Sequence, residues 1–305
     1  MHIARVGEEE QVASVGVIGL GSMGVPIALA LRDAGFTVTA TSRSAATREA
    51  AAGRGVPVVD GIPEVARAVE EGEPPVVVTS LPAGPQVRDA VLDGMPPGTV
   101  VVDTSTCAPS DSRALAAELA ERGRGLVDAP VSGGPTAARS GTLAVMAGGS
   151  AEHLDAVDPV LRALAGRLVV CGESGAGQIA KACNQLVVVS TIGTVAEALA
   201  LAAKLGADPV AVREALLGGY ASSRILELHG QRMLDGDFRP GGAAHHQVKD
   251  IEIVRQLLDD PSALEVFEAA AGTMEQLVAD GHGELDHSAA VKVVEQRLGV
   301  RLRPD

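Results

Sequence analysis

The chain is 305 residues long and carries a formal net charge of −14, which leaves room for one large domain or two ordinary ones with a sizeable core. So acidic a balance excludes the functions that need a basic surface, so neither nucleic acid nor an anionic membrane is expected as a partner, and a small molecule is. The cysteines Cys107, Cys171 and Cys183 have no C-x-x-C spacing and cannot all pair with one another, so a reduced, cytoplasmic setting is expected.

Residues 1–13 include Glu8, Glu9 and Glu10 and no apolar stretch of the signal-peptide kind, and are set aside as a flexible leader. From Ser14 the run SVGVI leads straight into Gly19-Leu20-Gly21-Ser22-Met23-Gly24. A helical pattern, VPIALALRDAG, follows and accepts Pro26 in its first turn. This is G-x-G-x-x-G between a strand and a helix, the context in which it binds a dinucleotide. Gly19 permits a tight turn, Gly21 lets the backbone approach a pyrophosphate, Gly24 lets helix pack on strand, and the helix N-terminus holds the phosphates.

A second strand over residues 36–41 follows at the distance of a βαβ unit. At its end an acid usually receives the adenosine ribose of NAD, but this chain reads Thr41-Ser42-Arg43-Ser44 with no carboxylate before Glu49. An arginine flanked by hydroxyls suits a 2′-phosphate, so Ser42, Arg43 and Ser44 are expected to select NADP over NAD.

The alternation continues with a strand over 56–59, a helix near 63–70, the strand PVVVTSLP, a helix near 85–92 and the strand TVVVDTST. Short β-branched runs separated by helices predict a parallel, doubly wound sheet whose strand ends face the ligand, which puts Leu81, Pro82 and Thr106 at the crevice. Thr106 can equally cap the helix that follows over 110–122. A strand then ends at Asp128, and Ser132-Gly133-Gly134 forms a loop whose amides and hydroxyl can receive a carboxylate. Ser132 lacks the G-x-S-x-G context of a serine hydrolase. A strand over 143–146, a helix over 151–165 and a strand over 167–171 close this half.

After Gly175-Ala176-Gly177, no proline or run of charges interrupts a helical pattern until Gly206, and between Ala182 and Ala203 the only charge is Glu197. A helix of about 28 residues, roughly 42 Å, is predicted. Its polar residues and the lack of a basic cluster or aromatic belt argue for burial among other helices rather than a membrane span. Gln178, Lys181 and Asn184 recur at i, i+3 and share one face of its first turns. A lysine so near a helix N-terminus sits at the positive end of the dipole, which lowers its pKa and suits it to give up a proton, although a snorkelling surface lysine has the same sequence signature. Beyond it strand signals vanish, and helical runs over 209–217, 248–258, 262–279 and 288–298 predict an all-α domain. The expected class is therefore α/β, a Rossmann-type domain over 14–174 followed by an all-α domain over 175–305, joined by the long interdomain helix.

Taken together, GLGSMG, SLPAGPQV, DTST, DAPVSGGPTAARSGTL, GAGQIAKACNQ and Lys249-Asp250 resemble the β-hydroxyacid dehydrogenase family, which contains 3-hydroxyisobutyrate dehydrogenases and tartronate semialdehyde reductases. The resemblance runs in the family's order over nearly the whole chain from Ser14. It implies hydride transfer between a nicotinamide and the hydroxyl-bearing carbon of a short 3-hydroxy acid, giving the semialdehyde. The family's catalytic lysine falls on Lys181 and its supporting asparagine on Asn184. Its substrate-carboxylate loop falls on Ser132, Gly133 and Gly134. Leu81, Pro82, Gln86, Thr106 and Lys249 are implied neighbours of the cofactor, and the helical domain is similar to the family's dimerising domain, so a homodimer is expected.

The chain departs from the family around Pro240 to Lys249, where His246 and Gln247 replace commonly apolar residues. His245 and His246 are adjacent and diverge by about 100° on a helix, so no metal is expected there, and His282 and His287 make no better case. Arg224 falls where the helical domain could reach a substrate, and a guanidinium there could take a second carboxylate or phosphate. Competing readings are an imine reductase, a family that typically lacks the lysine, and a non-catalytic dinucleotide-binding module. A decarboxylating sugar-phosphate dehydrogenase would need a longer C-terminal region.

Overall fold

The computed structural model describes residues 13–302, so the expected leader, Ala13 apart, lies outside the described residues. The chain divides into two compact units between Gln178 and Ile179.

The first unit is built on an eight-stranded sheet. In chain order come β1 (Ser14–Ile18), α1 (Gly24–Asp33), β2 (Thr37–Thr41), α2 (Ala45–Ala52), α3 (Ile62–Val69), β3 (Val76–Thr79), α4 (Gly84–Val91) and β4 (Val100–Asp103). Then follow α5 (Pro109–Ala120), β5 (Gly125–Asp128), β6 (Val131–Ser132), α6 (Gly134–Arg139), β7 (Leu143–Gly148), α7 (Ala151–Leu164) and β8 (Ala165–Gly172). The strand order is β2-β1-β3-β4-β5-β7-β6, with β8 paired to β7.

Strand runs of valine are buried on both sides, as a sheet covered by helices on both faces requires. Val15, Val17, Val76, Val78, Val100, Val102 and Val127 join the core under α1 and α7, whereas Val77, Val101 and Leu126 join the core under α3, α4 and α5. The period of two along each strand produces this split. Register matters most at the strand ends: Asp103 of β4 stands directly beside Asp128 of β5.

Two local expectations need correction. Residues 56–59 form no strand but a single bridge, Ala40 to Val58, because Pro57 offers only its carbonyl, to Ala40 N–H. The sheet is also not parallel throughout, since β7 runs antiparallel to β5 and β6. Only two residues separate β5 from β6 and the helix α6 is short, too little chain for a full parallel crossover.

The second unit has no strand among its described residues, only helices joined by turns and one isolated bridge, Ala243 to Asp286. It takes most of α8 (Ala176–Lys204), then α9 (Pro209–Leu217), α10 (Arg224–Asp235), α11 (Ala244–Arg255), α12 (Glu265–Leu277) and α13 (Ala290–Leu298). Helix α8 has 29 residues and is the one described helix long and apolar enough to cross a membrane. Within this unit, however, Ala182, Val189, Ile192, Ala196, Leu199 and Ala200 form a buried stripe that packs with Leu226, Ile251, Phe267 and Met274. Helix α10 has no clear sequence signal: four charged residues, a histidine and a glycine among twelve obscure its apolar spacing, but Leu226, Gly230, Met233 and Leu234 still bury one face.

Candidate active site

At the tip of β1 the glycines do what the motif requires. Gly19 has φ +100°, and a Cβ there would lie 2.2 Å from the Ser80 carbonyl oxygen. A Cβ on Gly24 would lie 1.8 Å from the Gly19 oxygen, so no larger residue allows α1 to start so close to the strand. Gly21 meets nothing within 4 Å. Its bare backbone is thus open to a pyrophosphate at the start of a helix, which is the fit a dinucleotide needs. The Leu20 side chain is buried in the core, Ser22 is exposed and Met23 is half-buried.

At the tip of β2, Arg43 is exposed and Ser42 half-buried, while Ser44 caps α2 by accepting from Thr47 N–H. Arg48 braces this turn by donating to the Ser42 and Arg43 carbonyls at 2.7 and 3.2 Å. It is a positioning residue that motif reading passed over. At the next strand ends, Leu81 N–H donates to Ser105 Oγ and Thr104 Oγ1 to the Thr79 carbonyl. Leu81 and Thr106 are half-buried, whereas Pro82 and Gln86 are exposed.

Asp103 and Asp128 lie beneath these tips. Asp103 accepts from Thr79 Oγ1 and Ser105 N–H, and burial pushes its pKa up. Asp128 accepts from Gly175 N–H at 2.7 Å and Gln178 N–H at 3.0 Å, and so closes the start of α8. Burial raises its pKa to about 6, against those two bonds. The Gln178 side chain, read in sequence as a partner of Lys181, instead accepts from Cys107 N–H and donates to the Ser105 carbonyl. Ser132 is half-buried and stands before two positive-φ glycines, Gly133 at +131° and Gly134 at +71°. A Cβ at Gly133 would lie 2.7 Å from that of Ala137.

In the second unit Lys181 is 7% exposed. Its Nζ donates to Gln185 Oε1 at 2.9 Å, and Asn184 Nδ2 donates to the same oxygen at 2.8 Å. Gln185 Nε2 in turn donates to Asp250 Oδ2 at 2.5 Å, and Lys249 Nζ lies 3.2 Å from Asp250 Oδ1. Burial lowers the Lys181 pKa to about 8, with Asp250 opposing and Lys249 assisting. This supplies a cause that the sequence did not show, since the helix-end argument invoked the dipole and the dominant effect is desolvation. The sidechain is not a snorkelling one. Arg224 begins α10 with 73% of its side chain exposed and pairs with Glu227 at 2.6 Å, outside the Lys181 group.

Residues 14–172 match the model of the NAD-binding domain of 6-phosphogluconate dehydrogenase, and residues 175–294 that of the NAD-binding domain of NADP-dependent 3-hydroxyisobutyrate dehydrogenase. A 2-hydroxy-3-oxopropionate reductase of Escherichia coli K12 is 37% identical over 92% of this chain and 97% of its own. The chain belongs to the β-hydroxyacid dehydrogenase family. Another similar member is an L-threonate dehydrogenase of Cupriavidus necator, 35% identical over 92% of this chain and 95% of its own. Among solved structures, a Mycobacterium tuberculosis 3-hydroxyisobutyrate dehydrogenase with L-serine has 32% identity and a TM-score of 0.79, covering 93% of this chain and 99% of that one. As a member of this family the protein is an NAD(P)-dependent oxidoreductase of hydroxy acids.

Two residues of the Lys181 group escaped the sequence reading. Gln185 stands four residues from Lys181, a spacing that puts both on one helix face, so its signal was present. Asp250 was noticed only as part of Lys249-Asp250, and its 65-residue separation from Gln185 left nothing local to link them.

Proposed function

We propose that this chain interconverts a short 3-hydroxy acid and its semialdehyde, with NADP preferred and Lys181 handling the proton. The carrying observation is the buried Lys181 amine, held by the neutral Gln185 carbonyl and poised near pH 8. The nicotinamide, when bound, supplies or accepts the hydride. In oxidation the uncharged amine accepts the proton of the substrate hydroxyl, and in reduction the ammonium returns it. Asn184 shares the Gln185 oxygen with Lys181 and is left with its own carbonyl for the substrate hydroxyl. The Ser132 hydroxyl and the Gly133 and Gly134 backbone receive the substrate carboxylate. The open backbone at Gly21 and the first turn of α1 receive the pyrophosphate, with Leu81, Pro82, Gln86, Thr106 and Lys249 as further neighbours of the cofactor.

Lys181→Ala is expected to cut turnover by about 10²–10⁴-fold while NADP binding, followed by fluorescence, survives. Retention of most of the activity would refute the role. Because the working form in oxidation is the neutral amine, kcat/KM should fall as pH drops below about 8, and the reductive direction should fall above it.

Preference for NADP rests on exposed Arg43 in a turn without an acid, braced by Arg48. In a screen of 3-hydroxyisobutyrate, glycerate, threonate and serine, NADP should give the higher kcat/KM, and Arg43→Ala should remove the difference. A strong preference for NAD would overturn the reading. We place the enzyme in the cytoplasm as a homodimer through its helical unit, where Val187, Leu201 and Leu205 are exposed apolar side chains of α8 and the residue after it.

A further inference from the structure

A polar cluster in the helical unit is left over when the Lys181 group is accounted for. Its centre is Asp286, fully buried, just ahead of α13. Its Oδ2 accepts from Arg232 at 3.1 Å and from Gly241 and Gly242 N–H at 3.0 and 3.1 Å. Its Oδ1 accepts from Ser288 N–H at 3.1 Å and Ser288 Oγ at 2.6 Å. With that many donors the carboxylate is occupied, and Arg232 offsets its charge.

Two imidazoles stand beside it. His229 of α10 places Nδ1 3.6 Å from Asp286 Oδ1, and His287 places Nδ1 3.0 Å from Gln247 Oε1. The other nitrogens face each other, with Nε2 to Nε2 at 3.3 Å and the rings at 76°. The Gln247 oxygen only accepts, so His287 donates from Nδ1 and turns the lone pair of its Nε2 toward His229, whereas His229 Nδ1 has no hydrogen-bond partner among the described residues. The two Nε2 atoms can therefore share either a proton of His229 or a cation, and His229, Asp286 and His287 each offer a ligand atom, all within 4.8 Å of one another.

Distance and chemistry decide which kind of centre. Two Zn–N bonds of about 2.0–2.1 Å at the tetrahedral angle hold their nitrogens about 3.3–3.4 Å apart. Metal-bound histidines also characteristically turn their second nitrogen to a carboxylate or carbonyl, as His287 does toward Gln247, while His229 Nδ1 stands 3.6 Å from Asp286. The set of two imidazoles suits zinc or its neighbours and not the oxygen-seeking magnesium or calcium. The His229 side chain is 21% exposed, so solvent can reach the pair and complete the coordination.

We propose that His229 and His287 bind a zinc-class divalent cation through their Nε2 atoms, with Asp286 and Gln247 orienting the rings. The two histidines are 58 residues apart and come from different elements, so a bound ion ties α10 to the turn before α13. Binding to the folded form alone stabilises it.

The test uses tag-free, chelator-washed, full-length protein, titrated with Zn²⁺ against a chromophoric chelator and with Co²⁺ followed by its visible absorption. One equivalent per chain and a rise in melting temperature with Zn²⁺ are expected. His229→Gln and His287→Gln should each weaken binding at least tenfold and abolish the rise, while His245→Ala/His246→Ala should change neither. The metal-free melting temperatures of the variants report whether they fold, and the two single variants check each other. Absence of stoichiometric binding in the parent, or binding that both glutamine variants retain, overturns the proposal.

Discussion

Asp128 in the first unit and Asp286 in the second are both buried carboxylates that accept backbone N–H groups, yet their surroundings drive them in opposite directions. Burial raises Asp128 to about 6, and its two backbone bonds, with acidic Asp103 alongside, do not reverse this. Burial also acts to raise Asp286, but the bonds and charges of His229, His287, Ser288 and Gly241 hold it well below the usual carboxylate range. The pair shows that backbone donors alone do not balance the desolvation of the Asp128 carboxylate, whereas at Asp286 side-chain donors join the backbone ones and do.

Removing each acid in turn breaks that comparison most directly. Asp286→Ala strands Arg232, Gly241, Gly242 and Ser288 at once, and a loss of about 3–5 kcal/mol is expected in urea unfolding of the metal-free protein. A loss below about 1 kcal/mol would mean that water replaces the carboxylate at little cost.

For Asp128 the sharper test is pH. Its folded pKa lies above the unfolded value of 3.8, so its protonation favours folding. That contribution is complete below about pH 4 and lost as pH rises through about 6. The shift corresponds to about 3 kcal/mol at most. Asp128→Asn should flatten the stability profile of the first unit between those limits, and an unchanged profile there would sink the assignment. The smallest effect belongs to Arg224→Ala, whose exposed pair with Glu227 is expected to contribute under about 0.5 kcal/mol by double-mutant cycle. If KM for some accepted acid rises sharply instead, Arg224 reaches the substrate.

What could be read in the sequence follows from how local each signal is. β1 and α9 occur over the residues expected, because an apolar run between turn residues and an aspartate cap before Pro209 are local signals. The i, i+3 spacing of Lys181 and Asn184 is a local signal too, and their side chains meet at the Gln185 oxygen. The mixed direction of the sheet was not, since strand direction depends on how much chain returns between partners rather than on the composition of a strand. Gln185 to Asp250 and His229 to His287 depend on helices meeting across 65 and 58 residues, and no window of sequence contains both members.

Gln185 has a chemical consequence beyond holding its neighbours. Its oxygen end meets two donors and its nitrogen end meets a carboxylate, so turning the amide over would oppose like with like at every contact. The group is thereby locked in one polarity and works as an electrical spacer. Asp250 fixes through this amide where the amine stands, and its negative charge acts on the amine against the desolvation that lowers its pKa.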